Sequence, residues 1–219
     1  MLDTTHRLTI EERVSLSGVI LAGGNSRTVG GAHKALLPIR YEKLVNVQLR
    51  EMRRICPETI LVTNEPRTFL PVVGSEVRII TDFYENKGPL GGIHAALSLA
   101  SCANVWVVAC DMPFVSSLAA RLLLEAKENT GSEAAVPYMN ERLYPLHGVY
   151  DKKIAGRIPL LFARGQIGIG SFLDIIRCEK VAESEFAARG IDSRFILNID
   201  SPEQYARLSS TDVQAVEGQ

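Results

Sequence analysis

Neither sign of charge is in excess. The 24 Lys and Arg against 25 Asp and Glu leave a formal net charge of -1, which removes the broad basic surface that nucleic-acid binding exploits. Cysteine is scarce as well: Cys56, Cys102, Cys110 and Cys178 form no CxxC pair, and each sits in or beside an apolar run. That pattern argues against a zinc cluster or a disulfide scaffold. It predicts reduced, mostly buried thiols. No apolar stretch is long enough for a bilayer, and the opening MLDTTHRLTIEERV carries acidic groups and lacks a signal-peptide core, so a cytoplasmic protein with no membrane partner is expected. Repeats, low-complexity linkers and heptads are missing too, which disfavours a scaffold or coiled coil. Three common signatures are also absent from the chain: the GxxxxGK[ST] of P-loop ATPases, the GxGxxG of dinucleotide binders and the GxSxG elbow of hydrolases.

What is present describes a globular chain. The 219 residues, 46% hydrophobic and 22% charged, suffice for one compact core. One domain is expected over 15–209, with polar extensions at 1–14 and 210–219. SLSGVILAGG, from Ser15, reads as a buried parallel strand running into a glycine loop. Val45, Leu49, Met52 and Cys56 then recur at helical spacing before an apolar strand at TILVTN. A strand at VRIITD, a helix with Ile93, Leu97 and Ala100 on one face, a buried strand at VWVVAC and a helix over Leu118, Leu122, Leu123 and Ala126 continue the alternation. The fold class this implies is α/β: a single three-layer α/β/α domain with a mostly parallel, Rossmann-like sheet. Its ligands should bind beyond the carboxyl ends of the strands. Farther on, the pattern is less regular. YPLHGVY and FILNID read as strands, KIAGRIPLLFAR as a short helix, and SPEQ as a helix start with Ser201 as cap and Gln204 three residues later.

Four segments fall where that sheet would bind a ligand. LAGGNSRTVGGAHK follows the first strand, and its glycines Gly23, Gly24, Gly30 and Gly31 allow backbone N–H groups to approach anionic oxygens, with Arg27 and Lys34 adding positive charge. A triphosphate fits this chemistry; a glycine-rich surface turn with solvated cations fits the loop taken alone. Asp111 follows VWVVAC directly, where a carboxylate could hold magnesium between phosphate oxygens or simply initiate a turn. Asp200, after FILNI, offers a second carboxylate or a helix-flanking acid. In TDFYENKGPLGG, Gly88, Gly91 and Gly92 would let backbone meet a base or ribose, and Asp82 could accept hydrogen bonds from base N–H groups. His94 and His147 lack metal spacing and read as structural. Trp106, Phe114, Phe162 and Phe195 read as core.

Taken in order, LAGGNSRTVGGAHKALL, TDFYENKGPLGG, VVACDMPFV, YPLHGVY and FILNIDSPEQY resemble the molybdenum cofactor guanylyltransferase family over roughly Gly18 to Tyr205. The resemblance implies a Mg2+-dependent enzyme of a nucleotidyltransferase fold that joins GMP, taken from GTP, to molybdopterin or molybdenum-molybdopterin and releases pyrophosphate. Carried onto this chain, it implies that Leu21, Gly23 and Gly24 place GTP and that Lys34 binds its phosphates; Arg27, one place earlier than the family's arginine, is expected to reach the phosphates too. It likewise implies that Asp82 and Gly88 belong to guanine recognition and that Asp111 ligates the metal; Asp200, as a second carboxylate, is expected to assist. Asn198 and Asp200 fall in the late NxN-like motif, aspartate replacing the second asparagine, and Pro145 in a Pro-Leu segment shaping the pterin side. The chain departs from the family where Thr28, Val29 and Gly30 stand for Arg-Met-Gly and where His33 replaces the Asp before the lysine. Small-molecule nucleotide and pterin partners, transient contact with molybdoenzymes or cofactor-insertion proteins, and a monomer follow as expectations. A related CTP-using transferase and a noncatalytic nucleotide-binding homologue remain as alternatives.

Overall fold

The computed structural model describes residues 15–23, 33–39 and 41–207. Gly24, Arg27, Thr28, Gly30, Gly31 and the two terminal extensions lie outside them. In chain order the elements are β1 (Leu16–Leu21), β2 (Pro38–Ile39), β3 (Glu42–Lys43), α1 (Leu44–Met52), β4 (Glu58–Val62), α2 (Pro66–Phe69), β5 (Val77–Ile80), α3 (Gly88–Leu99), β6 (Asn104–Ala109) and α4 (Ser117–Thr130). The second half holds β7 (Ala134–Met139), β8 (Arg142–Leu143), β9 (His147–Asp151), α5 (Ile158–Ala163), α6 (Ile169–Leu173), β10 (Cys178–Ala182) and α7 (Glu183–Ala188). Short 3-10 turns cover Lys34–Leu36, Lys152–Arg157 and Ser193–Ile196.

One sheet runs β10-β7-β9-β6-β1-β4-β5, with β8 beside β7. The neighbours of β1 are both parallel to it, β5 continues parallel to β4, and β9 runs antiparallel between β6 and β7. The sheet is thus mixed but mostly parallel, as the βα alternation predicts. Side chains alternate across it. On β1 and β6, Leu16, Ile20, Trp106 and Val108 face a core shared with Val45 and Leu49 of α1, Leu123 of α4 and Phe186 of α7. Val19, Leu21, Val105 and Val107 face the opposite core, with Ile93 of α3, Phe162 of α5 and Phe172 of α6. This is the three-layer arrangement expected from the sequence.

Local chemistry explains where the elements start and stop. The Ser116 hydroxyl accepts the Ala119 amide 3.2 Å away to cap α4, which ends at Gly131 with φ +63, the left-handed stop that glycine adopts at least cost. α3 has Pro89 in its first turn, where a missing N–H costs nothing.

Four expectations change. FILNID is not a strand: Ser193–Ile196 is a 3-10 turn and Ile199 donates to the Asp111 carbonyl at 2.8 Å, so this segment crosses the carboxyl edge of the sheet instead of joining it. The strand in YPLHGVY begins only at His147, because the His147 amide closes a turn onto the Tyr144 carbonyl at 3.3 Å and Pro145 has no N–H for a ladder. KIAGRIPLLFAR splits into a 3-10 turn and α5, with proline in the first turn of α5. Of the aromatics read as core, Phe114 is only half-buried, with the Arg194 guanidinium 5.1 Å from its centroid. The cysteines are free, as expected, but only Cys56 and Cys110 are buried while Cys102 and Cys178 are half-buried. Among the described residues, no helix is long and apolar enough to cross a membrane.

Candidate functional site

The carboxyl ends of β1, β4, β5 and β6 converge on a cavity of about 470 Å3 lined by Leu21, Gly23, Val62, Asp82, Asn86, Gly88, Pro89, Gly92, Ala109, Cys110, Asp111, Leu146 and Asn198. Parallel strands bring this about: each delivers its following loop to the same edge. Of the residues singled out in the sequence, Leu21, Gly23, Asp82, Gly88, Gly92, Asp111 and Asn198 line this one space.

At one end sits a charged cluster. The Lys34 ammonium, at the start of the turn Lys34–Leu36, donates to Asp111 Oδ2 at 2.9 Å and lies 3.9 Å from Asp200 Oδ1. Lys34 and Asp111 are largely buried, with side chains 16% and 17% exposed, whereas Asp200 is open to solvent. The separation of 77 residues between Lys34 and Asp111 is closed by the parallel pairing of β1 with β6. Asp200 reaches the cluster because the Ile199 amide is bonded to the Asp111 carbonyl. Its own amide donates to Gln204 Oε1 at 2.6 Å, while the Gln204 amide donates to Ser201 Oγ at 3.2 Å. The cap predicted at SPEQ therefore forms, with Gln204 reaching one residue farther back than a standard capping box would.

At the other end lies Asp82. Its amide donates to Asn64 Oδ1 at 3.2 Å, and its carboxylate fits among glycines: a Cβ on Gly92 would stand 3.4 Å from Oδ1 and 3.1 Å from a Leu21 methyl. Burial pushes the Asp82 carboxyl above its ordinary value, with Asn64 opposing. Between Asp82 and α3 the chain turns through Asn86 and Gly88, both near φ +59. Asparagine and glycine are the residues that enter this region most readily.

The histidines take structural places. The His147 ring is fully buried between Trp106 and Phe195, and its Nε2 accepts the Ser116 amide at 3.2 Å. Burial pushes its pKa down to about 3. His94 packs edge-on to Phe83 and Tyr84, and burial lowers it also. His33, beside Lys34 in sequence, turns its Nε2 toward the Glu65 carboxylate 3.2 Å away and its ring edge toward Phe69. The lysine is therefore organised by Asp111 and not by its neighbour.

The His147 value has a measurable consequence. The imidazole is neutral in the folded state and titrates near 6.5 when unfolded, so its stabilisation is complete above pH 6.5 and declines as pH falls toward 3. Lowering the pH from 7.5 to 5.5 is expected to remove about 1.4 kcal/mol of unfolding free energy through this residue. Urea titrations at the two pH values should show that loss reduced in His147→Gln; equal losses in variant and wild type would refute the assignment.

Several lining residues carry no signal as single letters. Leu146 and Cys110 are apolar positions in apolar runs, and Asn86 reaches the cavity through its backbone turn. Gln48, beneath the Asp111 turn, is different: it stands in the apolar stripe of α1 between Val45 and Leu49, and a polar residue at a core position of an amphipathic helix is a readable signal.

Among the described residues no group of three or more His, Cys, Asp and Glu side chains is placed to hold a metal ion. The pair Asp111 and Asp200 is the donor set to weigh. Two carboxylates gathered around one ammonium are hard oxygen ligands of the number that Mg2+ takes when phosphates and water complete its shell, so these residues fit that ion.

Comparison with known proteins agrees with the geometry. A family model described as a MobA-like NTP transferase domain matches residues 18–181. A probable molybdenum cofactor guanylyltransferase of Pelotomaculum thermopropionicum is 33% identical over 85% of this chain and 88% of that protein. One from Methanosarcina mazei is 35% identical over 71% of this chain and 72% of its own length. The crystal structure of molybdopterin-guanine dinucleotide biosynthesis protein A from Archaeoglobus fulgidus superposes with a TM-score of 0.76 at 23% identity, over 90% of this chain and 99% of that one. With the family model spanning most of the sheet and relatives of this identity over most of its length, the chain belongs to the MobA-like molybdenum cofactor guanylyltransferase family.

Proposed function

We propose that this protein transfers GMP from GTP to the terminal phosphate of molybdopterin or molybdenum-molybdopterin, releasing pyrophosphate. The observation that carries the proposal is the meeting of Lys34, Asp111 and Asp200 at one end of a cavity whose other end holds Asp82 among glycines. A triphosphate placed along it would have its charge at the first group and its base at the second. Lys34 would bind phosphate oxygens, and Asp82 would accept from the N–H edge of guanine, which adenine does not present in the same pattern. Gly23 and Gly88 would let backbone approach the nucleotide, and Leu21, Pro89 and Leu146 would supply apolar walls. Asn198, which lines the same cavity and precedes the Ile199 that bonds to Asp111, would face the acceptor. Gly24 and Arg27 are proposed as further GTP contacts from the adjoining segment of the glycine loop.

Asp111 and Asp200 would hold Mg2+, whose chemistry here would be neutralisation of phosphate charge. An acceptor phosphate oxygen would form the new bond to the α-phosphorus as the bond to the pyrophosphate oxygen breaks, with electrons and charge leaving on pyrophosphate. Such a nucleophile is already anionic. No covalent side chain or strong base is required, in keeping with the burial that lowers His94 and His147 and with a Cys110 thiol that burial pushes up to about 12. Lys34 steadies charge that grows on the phosphates during transfer, where a fixed cation has the most effect.

The test is pyrophosphate release with molybdopterin or its molybdenum-loaded form, with GTP and CTP compared, Mg2+ varied and the product identified by mass. A GMP-linked product that requires Mg2+ is expected. A CMP-linked product would reassign the nucleotide, and GTP binding without product from verified acceptor would indicate a noncatalytic homologue.

A further inference from the structure

The turn that presents Asp111 is held by a side chain from a different layer. Gln48, fully buried on α1, donates both amide hydrogens of its Nε2: one to the Ala109 carbonyl and one to the Met112 carbonyl, each at 2.8 Å. These carbonyls flank Cys110 and Asp111. The geometry identifies the amide orientation without ambiguity, because the flipped form would set Oε1 against two carbonyl oxygens. The bonds come at a cost, since Oε1 is buried and finds no donor among the described residues. A buried amide left half-satisfied asks for an explanation, and the carbonyls it grips supply one.

The grip extends to the second carboxylate. The Asp111 carbonyl, within the segment that Gln48 brackets, accepts the Ile199 amide and so locates Asp200. From Gln48, then, two hydrogen bonds hold the 109–112 turn and one more ties Ile199 to it, and the backbone joins these bonds to the residues that carry both carboxylates around Lys34.

We propose that Gln48 is a positioning residue that sets the separation of Asp111 and Asp200, and through them the affinity of the site for a divalent cation. This rests on the carboxylate roles proposed above. The bridge needs two donors on one neutral group: a methionine of similar length offers none, and a glutamate would face the carbonyls with negative charge.

Gln48→Met tests it in the full chain. The Mg2+ midpoint of nucleotide transfer, and Mg2+ binding measured by calorimetry, should both weaken by about tenfold or more, as is usual when a residue orienting a metal ligand is lost. Apparent KM for GTP at saturating Mg2+ should change little. A merely structural role would reduce the amount of active protein and leave the midpoint where it was. Residue-resolved amide exchange gives a readout independent of activity: the Ile199 N–H should exchange faster in the variant. An unchanged midpoint together with wild-type exchange at Ile199 would overturn the proposal. If the variant does not fold, the wild-type protein decides, because Gln48 side-chain amide protons that exchange as fast as exposed ones would also overturn it. If wild-type protein makes no product, the transferase reading fails, and the exchange measurements still decide whether Gln48 orders the turn.

Discussion

Asp111→Asn is expected to lower kcat for nucleotide transfer by at least about a hundredfold, the usual scale for removing one electrostatic partner of a transition state. Asparagine keeps the size of the side chain and can still accept a hydrogen bond from Lys34, 2.9 Å away in the native pair. What it removes is the negative charge. The fold should survive, because the carboxylate stands at the end of β6 beside the cavity, not within either apolar core. The loss should therefore appear in turnover and in the Mg2+ requirement, with the thermal midpoint close to that of the wild type. Full turnover in a folded Asp111→Asn protein would remove this residue from the mechanism. A large loss of stability would give Asp111 a structural role instead.

Lys34→Ala is expected to act on both binding and turnover. The ammonium is the described cation that contacts Asp111 and approaches Asp200, and its proposed partner is the triphosphate. Binding of that anion exchanges the internal pair for contacts of Lys34 with phosphate oxygens, which strengthen as charge develops. KM for GTP should rise and kcat should fall, together lowering kcat/KM by about a hundredfold or more. The variant also leaves Asp111 and Asp200 without their shared counter-charge, so its residual activity should depend on Mg2+ more steeply than that of the wild type. Initial rates over a grid of GTP and Mg2+ concentrations separate the two effects. Unchanged affinity and rate would show that the loop does not bind phosphate through this lysine.

The two substitutions differ in a diagnostic way. Asp111→Asn preserves the cation and removes a carboxylate; Lys34→Ala does the reverse. The first should raise the Mg2+ needed with little change in KM for GTP at saturating metal, whereas the second should raise KM at every Mg2+ concentration.

Much of this site is legible because strand ends are legible. Branched apolar runs ending at Leu21, Val62 and Ala109 identify buried parallel strands, and such strands place their following loops at one edge whatever the details of packing. That is why Gly23, Asp82 and Asp111 line one cavity, as their positions in the chain predict. The late segment is harder. FILNID has the composition of a strand, but a strand needs a partner with free ladder positions. Its Phe195, Ile196 and Ile199 are instead buried from a segment that crosses the sheet edge and is tied to Asp111 through the Ile199 amide. Gln48 escapes a search for catalytic residue types because its chemistry is ordinary; its importance comes from the two carbonyls above it.

The layers of the fold, the edge at which ligands would bind and the residue types available there can be read along the chain, since burial patterns and glycine loops are local properties. Which of those residues touch depends on how distant segments pack. Lys34 pairs with Asp111 because β1 lies against β6, His33 turns to Glu65, and Asp200 arrives by the bond between Ile199 and Asp111. Hydrogen bonds and ion pairs act over about 3 Å, a range that periodicity along a chain cannot resolve until packing brings distant segments together.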